Sequence, residues 1–455
     1  MQDNQESRLS CFKAYDVRGR VPDELNEELA FKIGQAFVTF LNARRVVVGY
    51  DIRLSSKDLV FAMSQGLITG GAEVLDIGLC GTEEVYFATG ALDADGGIMV
   101  TASHNPAEYN GMKFVRRESR PISSDTGLVD IQKMVLDGSF IKGSTPGSIH
   151  QASIREQYVE HLLSYIKPDL LQPIRAVVNA GNGCAGPVID LLEKRLPITC
   201  IKLQHDPDGI FPHGVPNPLL PGNRENTARA VIQEKADIGI AWDGDFDRCF
   251  LFDEKGAFVE GYYLVGLLAQ AMLRGRSKPQ KIIHDPRLIW NTREIVIREG
   301  HVPVMSRTGH AFIKDKMREV DALYGGEMSG HHYFRDFNYC DSGMIPWLLV
   351  WQLLSRTKMT LSEMLAECME RFPVSGEINR VVDDPDAVVA RIEKLYSEIP
   401  CEKDYTDGLS VSCDGYRFNV RKSNTEPLLR LNVESRGDRR LMENKTEELL
   451  QLIEG

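Results

Sequence analysis

Three aspartates at alternate positions, Asp243, Asp245 and Asp247 in "DGDFDR", follow directly on the apolar run "ADIGIAW". Carboxylates ~5 Å apart in a medium of effective dielectric near 20 repel by about 3 kcal/mol per pair, and a divalent cation relieves that repulsion. All-oxygen ligation suits Mg2+. A solvated acidic turn is the plain alternative. A calcium EF-hand shares the spacing, and Glu254 stands where its last acid would be. Arg248, however, holds the place of its glycine and "CFLF" runs on as a strand, so that reading fails. A further alternative makes Asp243 itself a phosphoryl-carrying nucleophile.

The second chemical stretch is "VTASHNPAEYNGMKF" (100–114), with Ser103 just after the apolar run "GGIMV". The surroundings are not GxSxG, and His104, adjacent on a loop, is expected to point elsewhere, so a Ser–His triad is not supported. A phosphate on Ser103 would add about -1.5 to -2 charges and three acceptor oxygens. With the three aspartates it would complete a metal shell, and Ser103 is therefore read as a phosphoryl carrier.

Three further loops suit a sugar phosphate. "RKSNTEPLLR" (421–430) combines Arg421, Ser423, Asn424, Thr425 and Arg430, donors that an acceptor-only phosphate dianion needs, against the alternative of a bland turn between strands. "GGEMSGH" offers the carboxylate of Glu327 and the hydroxyl of Ser329 to vicinal sugar hydroxyls, although a buried acid can equally serve backbone amides. "SRTGHAF" brings His310, which a packed histidine explains as well. The loop "GNGCAG" (181–186) matches GxGxxG, with Asp206 beyond it, but a tight structural turn competes with a dinucleotide site.

These loops need a scaffold, and a weak internal repeat supplies it. "RVVVGYD" (45–51), "IRAVVNAG" (174–181) and "KIIHDPR" (281–287) each lead through a helix-like segment to a second β-rich run, "AEVLDIG", "ITCIKLQ" and "HVPVMSR". A third strand-like run then ends in "TASHNP", "DGDFDR" or "GGEMSGH". Such alternation predicts three similar mixed α/β domains with ligand loops at the carboxyl ends of strands. After residue 371 the alternation of "GLSVSCDGYRFNVRKSNTEPLLRLNVES" and the closing "RLMENKTEELLQLIE" predict a C-terminal α+β domain of different fold. The expected domains span 1–150, 151–256, 257–371 and 372–455.

The chain has 455 residues, 53 Lys and Arg against 65 Asp and Glu, and a formal charge of -12. That balance excludes a dedicated nucleic-acid binder but not a small anionic substrate held by local cations. Nine scattered cysteines without CxxC spacing predict reduced thiols rather than disulfides or a zinc site. No signal-peptide pattern opens the chain and no membrane-length apolar run occurs, and "GMIPWLLVWQLL" (343–354) reads as a buried helix. The expectation is a cytoplasmic enzyme with no membrane partner.

With "CFKAYDVRGR", "TASHNP", "DGDFDRCFLFDEKG", "GEMSGHHYFRDF" and "RKSNTEPLLRLNVESRGD" in this order, the chain resembles the α-D-phosphohexomutase superfamily over almost its whole length. Within it the resemblance is to the bacterial phosphomannomutase branch that serves GDP-mannose synthesis. The resemblance implies three similar α/β domains and a different fourth around a central cleft, with the fourth closing over it. It implies that Ser103 is the phosphoserine and, with Asp243, Asp245 and Asp247, a ligand of Mg2+. Glu327 and Ser329 would hold the sugar O3 and O4, and Arg421, Ser423, Asn424 and Thr425, with Arg430 nearby, the non-reacting phosphate. Arg18, Lys113, Arg248 and His310 match positions that bind substrate or assist proton transfer. The implied reaction interconverts mannose 6-phosphate and mannose 1-phosphate through a bound hexose 1,6-bisphosphate. A dual mannose/glucose mutase and a non-catalytic sugar-phosphate sensor are the alternatives.

Overall fold

Three short apolar runs become the central strands of three sheets with one topology. Strand Arg45–Tyr50 lies parallel to and between Glu73–Leu79 and Gly96–Val100. Ile174–Asn179 lies in the same way between Ile198–Leu203 and Ile238–Trp242, and Lys281–His284 between Val302–Met305 and Tyr324–Gly326. In each, the third strand in sequence returns to the side of the first that the second left open. The crossover reversal sets the loops after the first and third strands side by side, where α/β sheets hold their ligands.

This computed structural model describes residues 9–141, 143, 145–422 and 428–454. It divides into two compact units, Met1–Phe258 with Gly330–Lys358, and Val259–Ser329 with Met359–Gly455.

In the first unit, strand Tyr109–Arg116 extends the N-terminal sheet antiparallel to Gly96–Val100 and sets Lys113 opposite Met99. Strand Val17–Arg20 adds to its far side, with Arg18 opposite Gly111. Strand Gly96–Val100, flanked on both sides, is buried along its whole length, which is why it reads as a continuous apolar run and not as an alternating one. Helix Glu27–Leu41 covers one face with Ile33 and Phe37, which pack on Val46, Val48 and Phe114. Asn26 starts that helix by accepting from the Leu29 amide at 3.0 Å, a cap of the kind that supplies about 1 kcal/mol. The run at 343–354 does form a buried helix, Met344–Thr357, with Trp347 and Trp351 stacked 6.2 Å apart. Its first amides, Gly343 and Met344, donate to the buried Glu83 carboxylate at 3.0 and 3.1 Å.

In the second unit, the C-terminal sheet is antiparallel in the order Ile378–Val381, Leu428–Ser435, Tyr416–Lys422, Leu409–Ser412, Glu402–Asp404. Helices Pro385–Leu395 and Arg439–Glu454 supply Ile392, Leu449 and Ile453 to a core with Phe418, Val420 and Leu431. The expectation of wholly reduced thiols fails here, because Cys401 and Cys413 form a disulfide. They extend the Glu402–Ser412 register by one pair, and sequence spacing carries no sign of a cross-strand pairing. The seven other cysteines form no disulfide.

Candidate active site

Strand Gly96–Val100 delivers the serine loop. Ser103 is 2% exposed and sits at φ 50, a left-handed conformation that a non-glycine residue holds only when its surroundings impose it. Its amide donates to Thr101 Oγ1 at 2.9 Å, and its hydroxyl donates to Asp243 Oδ2 at 2.8 Å. The expectation that His104 points elsewhere is wrong. The left-handed turn at Ser103 brings His104 Nδ1 to 3.1 Å from Ser103 Oγ. Burial, reinforced by Arg248 and Arg18, holds this imidazole well below its ordinary pKa, hence neutral.

Strand Ile238–Trp242 delivers the acidic loop in the same unit. Asp243, Asp245 and Asp247 are each at most 1% exposed, and their ligand atoms lie within 4.8 Å of one another. The Oδ1 atom of each is buried without a hydrogen-bond partner among the described residues. Three convergent carboxylate oxygens with unmet demand fit a hard divalent cation. The other oxygens are committed. Lys113 Nζ lies 2.7 Å from Asp245 Oδ2 and 2.6 Å from Asp247 Oδ2. Thr82 Oγ1 donates to Asp245 Oδ2 at 2.5 Å, and Arg248 Nε stands 3.4 Å from Asp243 Oδ2.

The electrostatics separate Asp243 from Asp245. Burial, with Asp247 and Asp245 adding repulsion, pushes Asp243 up to about 7. Burial also raises Asp245, but Lys113 and hydrogen bonds outweigh it and leave Asp245 below the ordinary range. Burial lowers Lys113, and the two aspartates overcome that and keep it charged. Arg18 joins the cluster through Asn105 of the serine loop, whose Oδ1 accepts at 2.6 Å.

Sequence reasoning missed several neighbours. His331 Nδ1 lies 2.8 Å from Asp341 Oδ2 and 3.8 Å from Asp247 Oδ1. Asp51 and Arg53 lie beneath the serine loop. Only the fold could reveal these pairings, because Asp247 and His331 lie far apart in sequence. The glycine loop at 181–186 also finds its use here. The Cys184 amide donates to Gly244 O at 3.0 Å, and a Cβ on Gly183 would meet that oxygen at 2.6 Å. The motif buttresses the acidic loop, as the structural-turn reading expects.

The second unit carries the remaining candidates. Glu327 follows strand Tyr324–Gly326, is 4% exposed, and accepts from the Gly309 amide at 3.2 Å. Ser329 is half-buried in the next turn, and His310 is half-buried at the start of helix His310–Val320. Arg421 and Arg430 are cross-strand partners that approach Glu377 at 3.4 and 3.5 Å, with Arg287 at 3.1 Å. Burial raises the Glu377 carboxyl, but these three guanidiniums outweigh it and hold it below its ordinary value. Arg287 was not anticipated. Ser423, Asn424 and Thr425 lie outside the described residues.

Models of the phosphoglucomutase/phosphomannomutase family match the chain four times: alpha/beta/alpha domain I at residues 10–140, domain II at 156–256, domain III at 260–372 and the C-terminal domain at 377–451. The chain belongs to the phosphoglucomutase/phosphomannomutase family. Among family members, a phosphomannomutase of Salmonella montevideo is 56% identical over 98% of this chain and 99% of the relative. A protein of Xanthomonas campestris pv. campestris named "phosphohexose mutases" is also 56% identical, over 98% of this chain and 100% of its own. A solved phosphoglucomutase/phosphomannomutase family protein from Burkholderia thailandensis superposes with TM-score 0.87 at 32% identity, covering 98% of both chains. The architecture of three similar α/β domains and a different C-terminal domain is thus the family's. No helix among the described residues is long and apolar enough to cross a membrane.

Proposed function

We propose that the chain interconverts mannose 6-phosphate and mannose 1-phosphate by a phosphoserine relay on Ser103. The observation that carries this is the buried Ser103 hydroxyl, bonded at 2.8 Å to an aspartate of a three-carboxylate cluster with unmet oxygens. Full-length identity of 56% to a phosphomannomutase supports mannose as the sugar.

In the forward step the P–O bond to Ser103 breaks as a bond forms to the free hydroxyl of the hexose monophosphate, giving a hexose 1,6-bisphosphate, and the proton the sugar hydroxyl loses is balanced by the one Ser103 Oγ gains. In the return step Ser103 Oγ takes the other phosphoryl group and sheds its proton. Asp243 Oδ2 at 2.8 Å and neutral His104 Nδ1 at 3.1 Å are within reach of that proton. Asp243, Asp245 and Asp247 would hold Mg2+, which supplies charge neutralisation at the transferring group. Lys113 orders two of those carboxylates, and Arg248 and Arg18 add positive charge at the serine loop. Glu327 and Ser329 would take the sugar O3 and O4. Arg421 and Arg430, with Ser423, Asn424 and Thr425, would take the phosphate that is not in transit, and His310 would assist at the sugar. The four domain spans expected from the repeat give each loop its own domain. The cytoplasm is proposed as the compartment of the reaction.

A second reading, action on glucose phosphates as well, is favoured by the Xanthomonas relative's broader name. Mannose and glucose share O3 and O4 geometry, and a contact that differs only at C2 discriminates by about 0.5–1.5 kcal/mol.

Peptide mass spectrometry of the purified protein, with an assay on mannose 1-phosphate primed by hexose 1,6-bisphosphate, tests the relay. Phosphate on Ser103 and loss of turnover in Ser103→Ala are expected. Phosphate on Asp243, or normal turnover of Ser103→Ala, would reject it.

A further inference from the structure

We propose that Arg53 is the positioning residue of the phosphoryl-carrying serine: a buried guanidinium that fixes the backbone on which Ser103 is held against Asp243. The inference rests on the reading of Ser103 as carrier.

Arg53 is 2% exposed, and its fork is spent on the serine loop and the first residue of the strand that follows it. Nη2 donates to the carbonyls of Ser103 at 2.9 Å and Asn105 at 2.6 Å. Nη1 donates to those of Pro106 at 2.7 Å and Tyr109 at 2.9 Å. Ser103 is buried, and the carbonyl of a buried loop residue must find its partner outside a sheet ladder; the contacts to Asn105, Pro106 and Tyr109 are part-buried, and Pro106 O also accepts from the Tyr109 amide at 3.0 Å. A planar guanidinium satisfies four at once, which an ammonium cannot. The Phe211 ring, 5.5 Å from Arg53 Cζ, packs on the same side chain.

Asp51 closes the network on the other side. It lies 3.3 Å from Arg53 Nε and accepts from Ser56 Oγ at 2.6 Å and Thr101 Oγ1 at 2.7 Å. Thr101 Oγ1 in turn accepts from the Ser103 amide at 2.9 Å. The amide and the carbonyl of Ser103 are therefore both tied to one buried ion pair. That double grip is what imposes φ 50 on a serine and aims Oγ at Asp243. A reacting atom misplaced by about 1 Å costs on the order of 100-fold in rate. Arg53 touches no reacting atom, so its loss falls on kcat and leaves KM for the sugar phosphate unchanged.

Arg53→Lys and Arg53→Ala test this beside wild type and Ser103→Ala, each checked for folding by its thermal midpoint. For Arg53→Lys the expected result is a folded protein with KM for mannose 1-phosphate within about twofold of wild type and kcat reduced on the order of 100-fold. Guanidinium chloride at millimolar concentration is expected to raise kcat of Arg53→Ala roughly tenfold or more and to leave Ser103→Ala inactive. Wild-type kcat in Arg53→Lys, a loss carried by KM, or no response of folded Arg53→Ala to guanidinium would overturn the inference. Unfolding of both Arg53 variants would overturn it too, since the guanidinium would then serve the fold and not the loop. Full activity of Ser103→Ala removes the carrier reading and this inference with it. An inactive Ser103→Ala beside a fully active Arg53→Lys removes the inference alone.

Discussion

Asp243 and Asp245 are one residue type in two electrostatic settings. Lys113 and Thr82 outweigh burial and keep Asp245 ionised, whereas burial, with the like charges of both neighbours adding to it, pushes Asp243 up to about 7. In the proposed metal site Asp245 would be the anchor of the cation. Asp245→Asn removes one charge and leaves Lys113 half-paired. It is expected to weaken magnesium binding, read by titration, about tenfold or more, with turnover falling in parallel; an unchanged magnesium dependence would count against the metal site. Ser103 itself is the clearer residue. Ser103→Ala is expected to abolish measurable mutase activity with a thermal midpoint close to wild type, since it removes a single buried hydroxyl.

At the scale of elements, the serine and acidic loops approach each other through backbone. A Cβ on Gly244 would meet Ser103 O at 2.7 Å, so only glycine lets the two loops close to hydrogen-bond range. Gly244→Ala is expected to cost about 1–3 kcal/mol of stability and to lower kcat by more than tenfold as Ser103 Oγ is pushed off Asp243. Chemical denaturation and steady-state kinetics of the one variant read both. Helix Thr82–Ala91 contributes in another way. The Thr82 amide donates to the Asp245 carbonyl at 3.0 Å and its hydroxyl to the carboxylate. The helix N-terminus thereby adds a positive end to the lysine in holding that acid ionised.

At the scale of the molecule, the proposed substrate grip and the acid stability would rest on different groups. Glu327→Ala is expected to lower kcat/KM for mannose and glucose 1-phosphates by the same factor, because O3 and O4 are alike in both. A shift in the ratio would show that Glu327 reads C2. Arg421→Ala is expected to raise KM mainly, and an unchanged KM would count against the phosphate clamp. Acid stability has a separate origin. Burial holds His284 down at about 4 and His332 at about 3, below the ordinary value of about 6.5. Between those limits the unfolded chain binds more protons than the folded one, so each neutral histidine contributes stability that is full above pH 6.5 and lost as pH falls toward 4. Buried Glu83 and Glu434, both pushed up by burial, act in the opposite direction. The histidine share is therefore read by difference. Relative to wild type, His284→Gln is expected to lose about 2 kcal/mol less between pH 7 and pH 5 in urea melts.

The amino-acid sequence alone determined the repeat, the strand-to-loop order and the residue types of the serine, acidic and sugar loops. These signals are local: an apolar run that must be buried, followed by polar residues that cannot be. The acid trio was legible because alternate aspartates carry a repulsion that some partner has to relieve. His104, by contrast, was misjudged, because a left-handed serine reverses the direction in which its neighbour points. The Cys401–Cys413 bridge was missed because pairing across strands depends on register, not spacing. Arg53, Thr82, His331 and Arg287 look like ordinary polar residues until the chain brings them to the loops they serve. Only the tertiary structure decided which acid is held ionised and which serine oxygen is fixed, because burial and the approach of charges from distant segments set both.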